Sequence, residues 1–260
     1  FRRRPHRFDA AADGEALMAA APGYVIIGNC IAGIAAAEAI RELDAEAPLT
    51  IISDETYPAY SRPLTSYIIG GKVTEGQMWL RPSDFYRRLN ITTLFGKRVT
   101  AVNDSDRYVT LNTGKKVHYD KLLIATGGSP RQLPIPGSEL EGVFNLRTLD
   151  DSKAIINRLP KTKRVIFAGG GFVSSKTMEA FHALKKRPKM VMVEIMPTVL
   201  AAIMEPTPAL MMQSHFEKNG VAMRTNDSFD EILGKDGEVA GVRLKSGETI
   251  FNATKRKRER

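Results

Sequence analysis

Two glycine-rich stretches hold the residue types best suited to chemistry in this chain. The first reads Gly28-Asn29-Cys30-Ile31-Ala32-Gly33 and the second Gly169-Gly170-Gly171-Phe172-Val173-Ser174. Each follows a short apolar run, Tyr24 to Ile27 in one case and Arg164 to Ala168 in the other. At such a junction the first glycine lets a strand turn sharply, and a small middle residue lets backbone amides approach a ligand. The last glycine lets a helix pack tightly on the strand. The unpaired amides and positive dipole end of that helix can then hold a pyrophosphate. Here the first stretch has Cys30, small but not glycine, in the middle, and the second has Ser174 in place of the last glycine.

The apolar runs that come next end in carboxylates. Ser53-Asp54-Glu55 closes the first, and Glu194, 25 residues after Gly169, closes the second. A carboxylate at that point accepts hydrogen bonds from a ribose diol and repels a 2′-phosphate, which selects NADH over NADPH. One degenerate glycine turn is a common structural turn, so either stretch alone is weak evidence. Two in the same context, each followed by an acid, point to two dinucleotides. Two purely structural turns remain the plain alternative.

The elements that must position these residues alternate. A strand at Tyr24 to Ile27, a helix from about Ile34 to Leu43 and a strand at Leu49 to Ile52 form one strand–helix–strand unit, which implies a right-handed crossover and a parallel sheet. Residues 91–118 read as short β-like runs with turns at Asp104-Ser105 and Asn112-Thr113-Gly114, an antiparallel meander. Leu122 to Ala125 is a buried strand, and Pro130, Pro134, Pro136 and Gly137 mark a linker. The unit then repeats: a strand at Arg164 to Ala168, a helix from Val173 to Leu184, and a strand at Met190 to Glu194.

Composition excludes several classes. The single cysteine among 260 residues rules out an internal disulfide, a redox dithiol or a thiolate zinc site, and with no signal peptide favours a cytoplasmic protein. No apolar run reaches membrane-spanning length. The net charge of +9 is spread as +1 over residues 1–17, +4 over residues 255–260 and +4 over the rest, without a basic stripe interleaved with aromatics. Neither nucleic acid nor membrane is therefore expected as a partner, although the basic tail keeps a nucleic-acid reading open. The four histidines lack metal-ligand spacing, and no phosphate loop of the nucleotide-triphosphatase type is present. Residues 1–17 are expected to be a non-native or disordered leader before Met18, with an arginine-rich transit peptide as the alternative.

Taken together the residues resemble the two-dinucleotide-binding-domain flavoproteins of the pyridine nucleotide–disulfide oxidoreductase superfamily, in its ferredoxin, rubredoxin and nitrite reductase-like branch. Three further stretches carry the resemblance: Tyr60-Ser61-Arg62-Pro63-Leu64 within Tyr57 to Gly71, Tyr119 to Gly127 with its Ala125-Thr126-Gly127 ending, and Lys245-Ser246-Gly247-Glu248. The resemblance implies an α/β fold with two Rossmann-like domains, an FAD domain over 18–145 and an NAD(P)H domain over 146–252, followed by a basic tail at 253–260. It further implies FAD on the first turn, NADH on the second, and hydride passing from nicotinamide to flavin and on to an acceptor such as a small iron-sulfur or rubredoxin-type protein. By the same resemblance Arg62 and Pro63 face the flavin or its phosphates, and the Val99 backbone faces the adenine.

The sequence departs from that family in three places. Its only thiol, Cys30, lies in the phosphate turn, which disfavours disulfide reduction. Many relatives have lysine where Tyr67 stands and glutamate where Lys176 stands, so Lys176 is the expected catalytic residue here, supplying positive charge to the reduced flavin; a lysine snorkelling from a helix start is the alternative. Finally, the family's segment that completes the FAD sheet has no counterpart after Asn252, so the FAD domain is expected to be truncated. The reading is an FAD-dependent NADH oxidoreductase, with a truncated nucleotide-binding fragment lacking redox activity as the alternative.

Overall fold

A computed structural model of the chain describes residues 22–252. The expected leader at 1–17 and the basic tail at 253–260 lie outside the described residues. In chain order the first elements are β1 (Tyr24–Ile27), α1 (Ile31–Leu43), β2 (Leu49–Ser53), α2 (Thr65–Ile69) and α3 (Phe85–Arg88). Next come β3 (Thr92–Phe95), β4 (Val99–Asn103), β5 (Tyr108–Leu111), β6 (Lys116–His118), β7 (Lys121–Ile124) and α4 (Leu149–Arg158). The chain continues with β8 (Arg164–Ala168), α5 (Phe172–His182), β9 (Lys189–Glu194), α6 (Pro206–Lys218) and β10 (Val221–Thr225). It ends in β11 (Phe229–Lys235), β12 (Glu238–Leu244) and β13 (Thr249–Phe251).

These elements form two compact units. Among the described residues one comprises 22–61 and Gly76–Gly128, the other Arg62–Glu75 and 129–252. The first unit holds a parallel sheet in the order β3-β2-β1-β7 and an antiparallel sheet β4-β5-β6. The apolar runs of β1 and β2 are explained by burial on both faces. Ile26 and Ile51 pack with Ile34, Ala37 and Phe85 on one side, whereas Val25, Ile27 and Ile52 pack with Val109 and Leu111 on the other. Strand β7, read as buried, lies instead at the sheet edge with one side unpaired among the described residues, and Leu123 is 39% and Ile124 61% exposed.

Two further expectations change within this unit. Helix α1 begins at Ile31, three residues earlier than read, because Cys30 is already its extended N-cap residue. Strand β3 does not join the meander but pairs in parallel with β2, Thr50 opposite Thr92, while only β4–β6 run antiparallel. The reason is packing: Ile91 and the preceding α3 residues Phe85 and Tyr86 belong to the core beneath β2, which brings the next residues to its edge.

The second unit holds a parallel sheet β10-β9-β8 and an antiparallel sheet β11-β12-β13. Met192, Met178, Phe181 and Phe216 pack between the parallel sheet and its helices; Val191, Val193, Ile232 and Val242 fill the space toward the antiparallel sheet. Met190 and Met192 on β9 are buried in this core, whereas Met196 and Met211 are 44% and 69% exposed. Helix α4 is fixed by a capping box in which Thr148 Oγ1 accepts from the Asp151 amide at 3.1 Å and Asp151 accepts from the Thr148 amide at 2.8 Å. In the proline-rich stretch read as a linker, Pro130 and Pro134 are exposed and outside regular structure, and only its end is packed. Pro136 O accepts from the Ile232 amide at 2.9 Å, and a side chain at Gly137 would lie 2.1 Å from Ile232 O.

Candidate functional site

The first glycine turn sits at the C-terminal end of β1, where α1 begins. Gly28 adopts a φ of +117° and donates its amide to Ile52 O at 2.8 Å, and a Cβ there would lie 2.2 Å from Ala125 O. A Cβ on Gly33 would lie 2.0 Å from Gly28 O, so α1 rests directly on the turn. Both glycines are required by close approach. Cys30 caps the helix without a side-chain hydrogen bond, and its thiol faces Tyr60 O at 3.8 Å. Ile31 and Ala32 are exposed at the helix start.

Around this turn the structure gathers Ala125, whose amide donates to Ile27 O at 2.8 Å, and then Thr126 and Gly127, both exposed. Glu55 accepts the Tyr60 hydroxyl at 2.5 Å. Asp54 pairs instead with Arg98 at 3.0 Å, and Lys97 donates its amide to Ser53 O at 2.9 Å, which brings half-buried Val99 beside the end of β2. Two residues that sequence reasoning missed, Asn29 and Tyr86, tie the loop over 57–60 to the turn.

The second turn joins β8 to α5. Gly169 adopts a φ of +87° and donates its amide to Val193 O at 2.8 Å. Side chains added at Gly169 or Gly171 would meet nothing within 4 Å, so the space before the helix start is open. Phe172 and Val173, the first two helical residues, are 61% and 57% exposed. Glu194, at the end of β9, turns both carboxylate oxygens to this region: Oε2 accepts from the Gly170 amide at 2.5 Å and Oε1 from the Met196 amide at 2.7 Å.

One turn into α5, Lys176 belongs to a charged cluster. Its ammonium contacts Glu179 Oε2 at 2.5 Å and lies 4.7 Å from the centre of the Tyr67 ring. Lys72 contacts the other Glu179 oxygen at 2.6 Å and lies 5.6 Å from the same ring. Two ammoniums share one carboxylate, which leaves one net positive charge. With Ser66 and Ala180 these residues line a shallow, open depression in the surface. Close approach of α2 and α5 is permitted by Gly70, whose added Cβ would lie 3.1 Å from Ala180 Cα. The Glu179 carboxylate, and secondarily the Tyr67 hydroxyl, raise the Lys176 pKa, while Lys176 and then Lys72 hold Glu179 down at about 2.

This cluster predicts an acid-sensitive contribution to stability. A carboxylate depressed from 4.5 to about 2 stabilises the fold fully above its unfolded value and loses that contribution as the pH falls from about 4.5 toward 2. Because Glu179 is 47% exposed, each pair is worth only about 0.2–1 kcal/mol. Urea unfolding at pH 6 and pH 3 is expected to show a larger acid loss for the native chain than for Glu179→Gln.

Arg62 and Pro63 lie in a short 3₁₀ turn at Arg62–Leu64. The Arg62 guanidinium donates to Arg147 O at 3.3 Å, and Pro63 is exposed. Buried Ser152 donates to Thr65 O at 3.1 Å and Lys153 pairs with Glu75 at 2.9 Å, so the whole segment is anchored in the second unit. The sequence-predicted residues therefore fall into two sets. One surrounds Gly28; the other comprises the Gly169–Glu194 turn, with Lys176 on its helix, and the separate Arg62–Leu64 turn.

Both turns fit a diphosphate-bearing dinucleotide. The first has glycine only where a Cβ would strike backbone, and the second has open space where a ligand must approach. Among the described residues no His/Cys/Asp/Glu group could hold a metal ion, and no helix is long and apolar enough to cross a membrane. A family model described as pyridine nucleotide-disulphide oxidoreductase matches residues 22–254. The chain is 31% identical over 227 residues to a rubredoxin-NAD(+) reductase of Ectopseudomonas oleovorans, covering 87% of this chain and 58% of that protein. It is similar to the reductase in a crystal structure of the covalent putidaredoxin reductase–putidaredoxin complex, with a TM-score of 0.82 and 27% identity over 90% of this chain and 57% of that one. The ferredoxin reductase for the CYP199A2 system of Rhodopseudomonas palustris gives a TM-score of 0.80 at 27% identity, covering 88% of this chain and 56% of that one. The chain thus spans a little over half the length of these relatives.

Proposed function

The chain belongs to the pyridine nucleotide-disulphide oxidoreductase family, and from that premise we propose that it is an FAD-dependent oxidoreductase that draws on NADH and reduces a small redox protein. The observation that carries this reading is the pair of strand-to-helix glycine turns, one in each unit, with a carboxylate at each neighbouring strand end. When bound, the two cofactors supply hydride transfer from nicotinamide to flavin and onward electron transfer; the protein contributes binding, orientation and charge. The names of the relatives, a rubredoxin-NAD(+) reductase and a putidaredoxin reductase, support the class of acceptor. We place the protein in the cytoplasm, on the ground of its single cysteine.

In this reading Gly28, Cys30, Ile31, Ala32 and Gly33 hold the FAD diphosphate with the amides at the start of α1. Glu55 and Asp54 serve the adenosine ribose, the Val99 backbone the adenine, and Ala125-Thr126-Gly127 closes the far wall of the turn. Gly169, Gly171, Phe172 and Val173 hold the NADH diphosphate, and Glu194 selects against a 2′-phosphate. Arg62 and Pro63 contribute to flavin binding. Lys176, its ammonium fixed by Glu179 and Tyr67, keeps a positive charge available to the reduced cofactor. Lys176→Met is expected to slow reduction by NADH roughly tenfold, less than the ~10²-fold of an enclosed oxyanion donor, because the cluster is open to water.

Purified protein tests the reading. Flavin absorbance retained through gel filtration, and bleached anaerobically by NADH but poorly by NADPH, is the expected result. A colourless protein that takes up added NADH but no FAD would instead establish the fragment without redox activity.

A further inference from the structure

We propose that Tyr86 and Asn29 form a pin that fastens the loop over residues 57–60 to the first glycine turn, and that this pin sets how tightly the turn holds FAD without requiring Tyr86 to touch the cofactor. The inference rests on the proposed FAD site and adds two positioning residues to it. Tyr86, on α3, is 8% exposed, and its ring is held edge-on by Phe85 and Phe95 with centroids 5.0 and 5.4 Å away. Its hydroxyl donates to Asn29 Oδ1 at 2.8 Å and accepts from the Ala59 amide at 2.9 Å, so both sides of the oxygen are used. Asn29 Nδ2 in turn donates to Tyr57 O at 3.2 Å. The next residue of the turn, Cys30, faces Tyr60 O, and Tyr60 hydrogen-bonds Glu55.

The chemistry of position 29 explains why asparagine suits it. The side chain must accept from a hydroxyl and donate to a carbonyl at once; aspartate supplies only the first, and leucine neither. A buried network in which every member is paired is rigid, and one missing member leaves others unpaired at a cost. Burial, the largest influence, raises the Tyr86 pKa and keeps its hydroxyl protonated as the donor Asn29 needs. Because Asn29 lies between Gly28 and the α1 cap, its anchorage fixes the backbone whose amides would meet the diphosphate. Pre-organisation of that kind improves affinity by lowering the ordering cost on binding.

The test compares the full chain with Tyr86→Phe, Asn29→Asp and the double variant. FAD and NADH are titrated separately, and exchange of the Ala59 amide is followed by hydrogen–deuterium measurement. Tyr86→Phe is expected to raise the FAD dissociation constant about tenfold or more while leaving that for NADH unchanged, and to speed exchange at Ala59. The double variant should be little worse than the worse single one, since both break one network. Should Tyr86→Phe not fold, Asn29→Asp carries the same expectation with a smaller loss. FAD affinity within twofold of the native chain in both variants would overturn the pin alone. A native chain that binds no FAD would overturn the functional reading and the pin's role in affinity together.

Discussion

Replacing Gly33 with alanine is expected to abolish flavin retention and lower the unfolding midpoint sharply. The added Cβ would stand 2.0 Å from Gly28 O and 3.4 Å from Ile26 Cγ2. The first obstacle is backbone, held in turn by the Gly28 amide's bond to Ile52 O at 2.8 Å, so no side-chain rotation relieves it. Helix α1 must lift off β1, which opens the core around Ile26, Ile34 and Ala37. Overpacking usually costs about 1–3 kcal/mol, and a rigid backbone obstacle places this variant at or above about 3 kcal/mol. Urea unfolding followed by circular dichroism measures that loss, and absorbance of the purified protein measures flavin content. Gly171→Ala provides the contrast. Its φ of −77° suits any residue and its Cβ would meet nothing within 4 Å, so stability is expected to hold while NADH binding weakens.

The same contrast explains what could be read from the sequence. The glycine turns, β1, β2, β8 and β9 were legible because the constraints on them are local: a sharp turn needs glycine, and a strand buried on both faces needs a continuous apolar run. The setting of Arg62–Glu75 was not legible, since Thr65 O is bound by Ser152, 87 residues away, and Lys72 by Glu179, 107 residues away. Nor was the Asn29–Tyr86 bond, between residues 57 apart, because neither side chain carries a signal of its own in the sequence. Strand β3 was assigned to the wrong sheet for a related reason. Its short Thr-Thr-Leu-Phe run fits either sheet, and only the packing of α3 chooses between them. The charge at Lys176 was legible, but Lys72 on the same Glu179 carboxylate was not; only the Lys176–Glu179 spacing of three pointed to a partner.

Glu194 is where local and distant constraints meet, and its replacement should have the largest effect on nucleotide choice. Its carboxylate braces the turn through the Gly170 amide at 2.5 Å and the following loop through the Met196 amide at 2.7 Å. An added Cβ on Gly170 would lie 3.1 Å from Oε2 and 3.1 Å from Val199 Cα, so that glycine makes room for the carboxylate and for the loop after β9. Hydrogen bonds to a charged group are worth about 1.5–3 kcal/mol each, so Glu194→Ala is expected to weaken NADH binding by about tenfold or more. On the proposed reading NADPH binding should fall less, because the change also removes a negative charge placed to repel a 2′-phosphate, and the expected preference for NADH should narrow. Glu194→Gln separates the two effects. It keeps the side chain's length and one acceptor but sets an amide N–H against a backbone N–H, so turn support is partly lost and the repulsive charge wholly lost. Titration of both nucleotides against both variants decides the matter: equal losses for NADH and NADPH would mean that Glu194 supports the turn and does not select the nucleotide.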